Sequence, residues 1–155
     1  MKSVFLITEP DTLRVRPSGP ATGNIWLEMN GQQFPMLHWN DFVVVILGQW
    51  ALALSRMVCG LSVRETVHFM DGPYAVELGI SQTGMLQLRA LKRGLSGTDE
   101  VTTGEEPARL FIPELISQSR DVLNACKSQN WWSKDVEVLE SSVKDLTLES
   151  KRLLN

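Results

Sequence analysis

The sequence predicts an α+β fold in which an antiparallel β-meander packs against a central buried helix and two C-terminal helices follow. Residues 42–58 are apolar on every side, so a helix there must be enclosed by protein or by a membrane. Three alternating segments with tight turns come next, which is typical of consecutive hairpins. Two segments with apolar residues at helical spacing close the chain.

The central segment fits a buried helix better than a membrane span. It is about as short as a spanning helix can be, and it carries Gln49 at its centre and Arg56 near its end, both costly in hydrocarbon. It also lacks the flanking basic cluster of a membrane span and the basic lead-in of a secretory signal. We expect Asn40 or Asp41 to cap its start and Gly60 to end it.

The remaining elements are predicted from alternation and turn residues. We expect strands at 4–7, 24–29 and 32–34, the last two joined by a hairpin turn at Asn30-Gly31, and then at 64–70, 74–80 and 85–91. Residues 94–106 are polar and predict a mobile loop, and 108–111 predict a short strand. A helix is expected to begin at Pro113 and end at Asn130. Ser133 should cap the last helix, whose apolar stripe is Val136, Leu139, Val143, Leu146 and Leu153.

Length and composition predict a single domain. Residues 1–155 would form one unit, with the sheet and central helix in 1–111 and the C-terminal helices in 112–155. Hydrophobic residues make up 43% and charged residues 21% of the chain, as in globular proteins. A net charge of −3 argues against direct nucleic-acid binding. Cys59 and Cys126 are expected to be buried free thiols in a reducing cytoplasm, with a disulfide between them as the alternative.

The sequence contains no recognisable catalytic set. Its two histidines are His38 and His68, and His68 could form an acid–base pair with Glu65 or Asp71. The favoured interpretation is that His68 lies at the rim of the fold or forms ordinary hydrogen bonds beside the turn aspartate. No phosphate-binding glycine loop, nucleophile elbow or metal-ligand spacing is present. We therefore predict that the protein is not an enzyme and that it uses no cofactor and no metal.

The turn Asp71-Gly72-Pro73-Tyr74 has two interpretations. Its residue types alone favour a tight hairpin connection. The same turn would also project Asp71, Tyr74 and Met70 as a contact patch, and tyrosine and methionine are enriched at interface centres. Among the tryptophans, Trp26 and Trp50 are expected in the core, whereas one of Trp131 and Trp132 is expected to be partly exposed.

A motif in the middle of the chain resembles a known family. Phe34-Pro35, Trp39, Asp41-Phe42 and Trp50 match small bacterial proteins in which an FP-x(3)-W-x-DF run opens a buried helix. In those proteins a strand pair with an Asp-Gly-Pro-like turn follows. Many are immunity proteins of contact-dependent growth inhibition and related polymorphic toxin systems. The resemblance covers roughly residues 25–91 and implies a fold, not a list of contact residues.

The resemblance implies a cytoplasmic immunity protein that binds and neutralises a cognate toxin C-terminal domain by protein–protein contact. Such toxins are commonly nucleases with basic clefts, which favours an acidic inhibitor. The candidate contact residues are Glu65, Asp71, Tyr74, Glu77, Asp99, Glu100, Glu105 and Glu106. We expect no membrane association, and the sequence is compatible with a homo-oligomer. The alternative is a non-catalytic scaffold or regulatory module that pairs through its C-terminal helices.

Overall fold

The computed structural model describes residues 3–154, and their side chains as far as Arg152. This part of the chain forms eight strands and three helices, with four strands before the first helix, four after it and two helices at the end. They are β1 (Val4–Arg14), β2 (Thr22–Met29), β3 (Gln32–Phe34), β4 (Asn40–Asp41), α1 (Val43–Val58), β5 (Arg64–His68), β6 (Tyr74–Ile80), β7 (Met85–Gly94), β8 (Gly97–Pro107), α2 (Ala108–Ser128) and α3 (Lys134–Leu154).

The strands form two antiparallel sheets, where the sequence predicted one. In the first sheet β2 pairs with β1, β3 and β4, and the second sheet is the meander β5-β6-β7-β8. The α+β class and the meander are confirmed. The β2–β3 hairpin also forms as predicted, because Asn30 and Gly31 both adopt the positive φ that its two-residue turn requires.

Helix α1 is the core of the domain. Leu47, Trp50 and Leu54 are buried, and only Leu52 and Arg56 are exposed. The other two helices pack around it, and the ring of Trp50 lies 5.5 Å from that of Phe111 on α2. The protein itself thus encloses the all-round apolar helix. In the part of the chain that is described, no helix combines the length and apolarity needed to cross a bilayer.

The C-terminal end of α1 follows the prediction, and its N-terminal end does not. Gly60 has a φ of +82°, and the N–H groups of Gly60 and Leu61 bond back to the carbonyls of Met57 and Arg56. At the other end Phe42 is the N-cap residue, without a side-chain cap. Asp41 does not cap the helix, because its carboxylate accepts hydrogen bonds from groups outside it.

Gln49 explains why a polar residue occupies the middle of α1. Its side-chain amide accepts a hydrogen bond from the His68 N–H at 3.0 Å and donates to the His68 carbonyl at 3.1 Å. Because β5 is an edge strand of the meander, these backbone groups face away from β6. Gln49 therefore pairs with the strand edge much as another strand would.

The segment after β7 differs from the prediction. Residues 97–107 form β8, which pairs with β7 from Met85 opposite Pro107 to Gly94 opposite Gly97. The segment 108–111, predicted as a strand, is the first turn of α2, so Pro113 lies inside that helix rather than at its start. Burial of Phe111 and Ile112 favours the earlier helix start, although Pro113 lacks an N–H for the helix ladder.

Two side-chain hydrogen bonds attach helix α2 to strand β1. On α2, Glu114 Oε1 accepts from the Leu6 N–H at 3.0 Å and Gln118 Oε1 from the Thr8 N–H at 3.2 Å, so this helix covers the edge of β1. Helix α2 ends before Asn130, which has a φ of +52°, as predicted.

The predicted start and apolar stripe of α3 are confirmed. The Ser133 hydroxyl accepts a hydrogen bond from the N–H of Val136 at 3.4 Å. The stripe Val136, Leu139, Val143 and Leu146 is buried, while the side chain of Leu153 lies outside the described residues. Trp132 is exposed and Trp131 is half-buried, as expected for one of the pair.

The two cysteines are free, but only Cys126 is buried, so the expectation for Cys59 was wrong. Cys59 follows the last turn of α1 and faces solvent. Burial raises the pKa of the Cys126 thiol to about 11. We expect a thiol reagent at pH 8 to label Cys59 rapidly and Cys126 only after unfolding, because the thiolate is the reactive form.

Mass spectrometry of the labelled protein checks this prediction. The Cys59→Ser variant should take up almost no label when native and one equivalent in denaturant. Equal labelling rates of the two native cysteines would contradict the structure.

Candidate functional site

A buried carboxylate fixes the loop before α1 to the turn between β5 and β6. Asp41 is 3% exposed, and its Oδ2 accepts from Trp39 Nε1 at 3.0 Å and from the N–H groups of Met70 and Asp71 at 3.1 Å each. Its Oδ1 accepts from the Phe42 N–H at 2.7 Å. A carboxylate that accepts four bonds can hold two loops rigidly.

Four aromatic rings pack edge to face beside Asp41. The ring of Tyr74 lies 5.3 Å from that of Trp39 and 5.6 Å from that of Phe34. Phe34 in turn lies 5.9 Å from Phe69. These separations suit edge-to-face contacts between aromatic rings. The resemblance motif, Phe34 through Phe42, therefore supports the β5–β6 turn in addition to opening the helix.

The β7–β8 hairpin extends beyond the body of the domain. Every residue from 92 to 101 is exposed, yet the strands stay paired to the tip, with Lys92 opposite Asp99 and Gly94 opposite Gly97. Leu95 is fully exposed at the tip. We call residues 92–101 the arm. Most of the side-chain surface of the arm is therefore exposed.

The base of the arm contacts the β5–β6 turn. The N–H of Arg93 donates to the Pro73 carbonyl at 2.9 Å, and Lys92 Nζ lies 6.0 Å from the centre of the Tyr74 ring. Exposed Met70 adjoins this turn, and exposed Met36 and Leu37 lie in the loop that Trp39 closes. The arm and the loop 35–39 thus each contact the β5–β6 turn, and we call these three segments together the docking surface.

The structure brings together four of the eight predicted contact residues. Asp71 and Tyr74 lie on the β5–β6 turn, and Asp99 and Glu100 lie on the arm beside it. Asp71 and Asp99 are exposed, and Tyr74 is half-buried by its aromatic neighbours. Exposed Leu95, Met36 and Leu37 were not predicted as contact residues from the sequence. A signal existed for Leu95, which is a lone apolar residue between Gly94 and Ser96-Gly97.

The outer face of the meander carries alternating charges. Arg89 bonds at 2.9 Å to both Glu100 and Glu77, and Arg64 lies 3.7 Å from Glu77. The hydrogen bonds to Glu100, and then those to Glu77, raise the pKa of Arg89 above its ordinary value. The carboxylates of Glu77 and Glu100 are therefore already paired with arginines of the same sheet.

The last three predicted contact residues lie away from the docking surface. Glu65 pairs with Arg56 of α1 at 3.1 Å. Glu105 is exposed near the seam of the two sheets, where its carbonyl accepts from the Ser3 hydroxyl at 3.2 Å. Glu106 is 1% exposed, so its prediction as a surface contact was wrong. Strand alternation turns Glu106 inward beside Leu86, its partner on β7.

The histidines do not form the acid–base pair considered for His68. Within residues 3–154, the histidine–carboxylate contact that forms is His38 Nδ1 to Glu9 Oε1, at 2.7 Å. A hydrogen bond from Asn24, and then that from His38, lowers the pKa of Glu9. His68 is exposed, and its backbone bonds to Gln49. The described residues contain no group of three or more His, Cys, Asp or Glu side chains arranged to hold a metal.

Comparisons with family models, curated proteins and solved structures found no significant match. The resemblance carried by Phe34, Trp39 and Asp41 therefore stays a prediction.

Proposed function

We propose that this chain is an immunity protein that binds and neutralises a cognate toxin domain, with a nuclease as the expected toxin class. The observation that carries the proposal is the arm, a paired hairpin with exposed Leu95 at its tip. The base of this hairpin contacts the β5–β6 turn. A projecting hairpin is one way in which a protein inhibitor can enter the concave site of an enzyme. The resemblance motif also supplies two rings of the aromatic cluster, Phe34 and Trp39, and the Asp41 carboxylate that bonds to the β5–β6 turn.

The chemistry of the docking surface suits protein recognition. Met36, Leu37, Met70 and Leu95 offer exposed apolar area, and Tyr74 offers a ring with a polar tip. Interface centres are enriched in methionine and tyrosine. Rigid attachment through Asp41 lowers the entropy lost on binding, because the loops are ordered before the partner arrives.

The charges at this surface are compatible with a basic toxin cleft. The side chains of Asp71 and Asp99 make no ion pair among the described residues, whereas Glu100 is held by Arg89. These two carboxylates on the docking surface would complement lysines or arginines that line a nuclease site. We place the protein in the cytoplasm, where such a toxin would act, and we propose binding without turnover, cofactor or direct nucleic-acid contact.

Co-expression with the toxin domain encoded by the neighbouring reading frame tests the proposal. The wild-type protein should protect cells and co-purify with that domain as a stable complex. Leu95→Asp should weaken the complex about tenfold or more, because a charge would replace the apolar tip inside a desolvated contact. Calorimetry with an inactivated toxin domain measures the dissociation constant.

The matched control is Leu61→Asp, which introduces the same charge at an exposed leucine on the α1–β5 loop, away from the arm. It should leave the dissociation constant unchanged. Absence of both protection and a complex for the wild-type protein would refute the proposed function. Equal effects of the two variants would refute the role of the arm.

A further inference from the structure

Helices α2 and α3 leave a continuous groove on their solvent side. Two adjoining cavities of about 370 and 550 Å³ lie between them, and Arg120, Asn124 and Thr147 line both. The groove extends along α2 from Lys127 to Pro113, which is roughly 20 Å at the helical rise. This length suits several turns of a partner helix.

The floor of the groove is apolar. Ile116 and Leu123 of α2 and Val143 of α3 are nearly buried there, and Leu148 of α3 is 54% exposed. Ile116, Leu123 and Leu148 form a strip on the outer side of the helix pair, beside Val143, which also belongs to the stripe that packs inside the domain. An apolar strip within a groove is matched by an apolar side of a ligand.

The rim of the groove is cationic. Arg120 and Lys127 lie two helical turns apart on α2, and Lys144 and Lys151 lie two turns apart on α3. Among the described residues, none of these four makes an ion pair. The chain as a whole has a net charge of −3, so the groove is a positively charged region on a negatively charged protein.

We propose that this groove binds an acidic amphipathic helix of a partner protein. The apolar side of that helix would cover Leu148, and its glutamates or aspartates would reach the cations on both rims. The same strip disfavours a phosphate backbone, which has no apolar side to cover it. The lining carries four cations and two carboxylates, Asp121 and Glu140, so it keeps a net positive charge. A second copy related by two-fold symmetry would bring another groove of the same net charge against this one.

The groove shares no residue with the docking surface, so this inference stands independently of the proposed immunity function. It also differs from pairing through the α3 stripe, because Val136 and Leu139 of that stripe are buried inside the domain.

A designed helix about 20 residues long is the probe. It carries leucines along one side and glutamates two turns apart on both flanks, and a twin peptide carries lysines instead. Fluorescence anisotropy with the full chain should show saturable binding of the glutamate peptide that weakens as salt rises. The lysine twin should bind at least tenfold more weakly.

Arg120→Glu should weaken binding of the glutamate peptide about tenfold, whereas Arg152→Glu, with the same charge change outside the groove lining, should not. Leu148→Gln should weaken it similarly, with Leu110→Gln on exposed α2 surface as its control. Equal binding of the twin peptides, or equal effects of the two arginine variants, would overturn the proposal. Tighter binding of a single-stranded oligonucleotide, or self-association abolished by Arg120→Glu, would assign a different occupant and also overturn it.

Discussion

Replacing Asp41 with alanine is expected to lower the free energy of unfolding by about 3–5 kcal/mol. The change removes a carboxylate that accepts bonds from Trp39 Nε1 and from the N–H groups of Phe42, Met70 and Asp71. These donors would lose a partner whose side of the contact is buried, because Asp41 is 3% exposed. Urea denaturation followed by tryptophan fluorescence measures the loss.

Hydrogen exchange adds a local readout for the same variant. The amides of Met70 and Asp71 should lose protection beyond the global change, because Asp41 is the acceptor for both. Asp145→Ala, at an exposed position of α3, is the control and should shift stability by no more than about 0.5 kcal/mol. A loss below about 1 kcal/mol for Asp41→Ala would mean that the carboxylate does not hold the two loops together.

Replacing Gly104 with valine is expected to destabilise the protein by about 2–3 kcal/mol through overpacking. A Cβ at this position would lie 2.8 Å from Val4 Cγ2 and 3.1 Å from Met29 Sδ, both in fully buried side chains. Gly104 lies on β8 where the two sheets meet. The edge of β8 is also held there by Asn30, whose amide donates to the Thr103 carbonyl at 2.9 Å.

Gly94→Val provides the comparison for Gly104→Val. Gly94 also lies on the β7–β8 hairpin, but the nearest atom to its added Cβ is the Gly97 carbonyl oxygen at 3.6 Å. Thermal unfolding should place this variant close to the wild type and the Gly104 variant several degrees lower. Equal melting temperatures of the Gly104→Val and Gly94→Val variants would contradict the close contact of the two sheets at β8.

The sequence predicted best where turn chemistry and apolar spacing agreed. Asn30-Gly31 forms its hairpin, Gly60 ends α1, and Ser133 caps α3, because each depends on a few neighbouring residues. The bounds of β6 at Tyr74–Ile80 also match the prediction. Such features are encoded locally and are readable without knowledge of distant contacts.

Strand β8 could not be predicted from its own residues. Residues 97–107 are rich in glycine, threonine and acidic residues, which suggested a loop. Their strand structure depends on pairing with β7, and no apolar alternation reveals it because most of the segment is exposed. For the same reason Glu106 was placed on the surface, although strand direction turns it inward.

The candidate site was predicted in part. Asp71 and Tyr74 were singled out by their turn, and they lie beside Asp99 and Glu100 of the arm. The shape of the arm and the exposure of Leu95 could not be predicted, since both depend on where the body of the domain ends. The pairing of Glu77 with Arg89 likewise requires knowledge of which strands are neighbours.

Short-range spacing of apolar and turn residues encodes the α+β class, the buried central helix, most of the turns and the two C-terminal helices, so these features could be predicted from the sequence. The division of the strands into two sheets, the contact of Asp41 with the β5–β6 turn and the exposed arm at residues 92–101 became known only from the folded arrangement. These features arise from strand pairing and burial between residues far apart in the chain, and no local pattern specifies which distant groups meet.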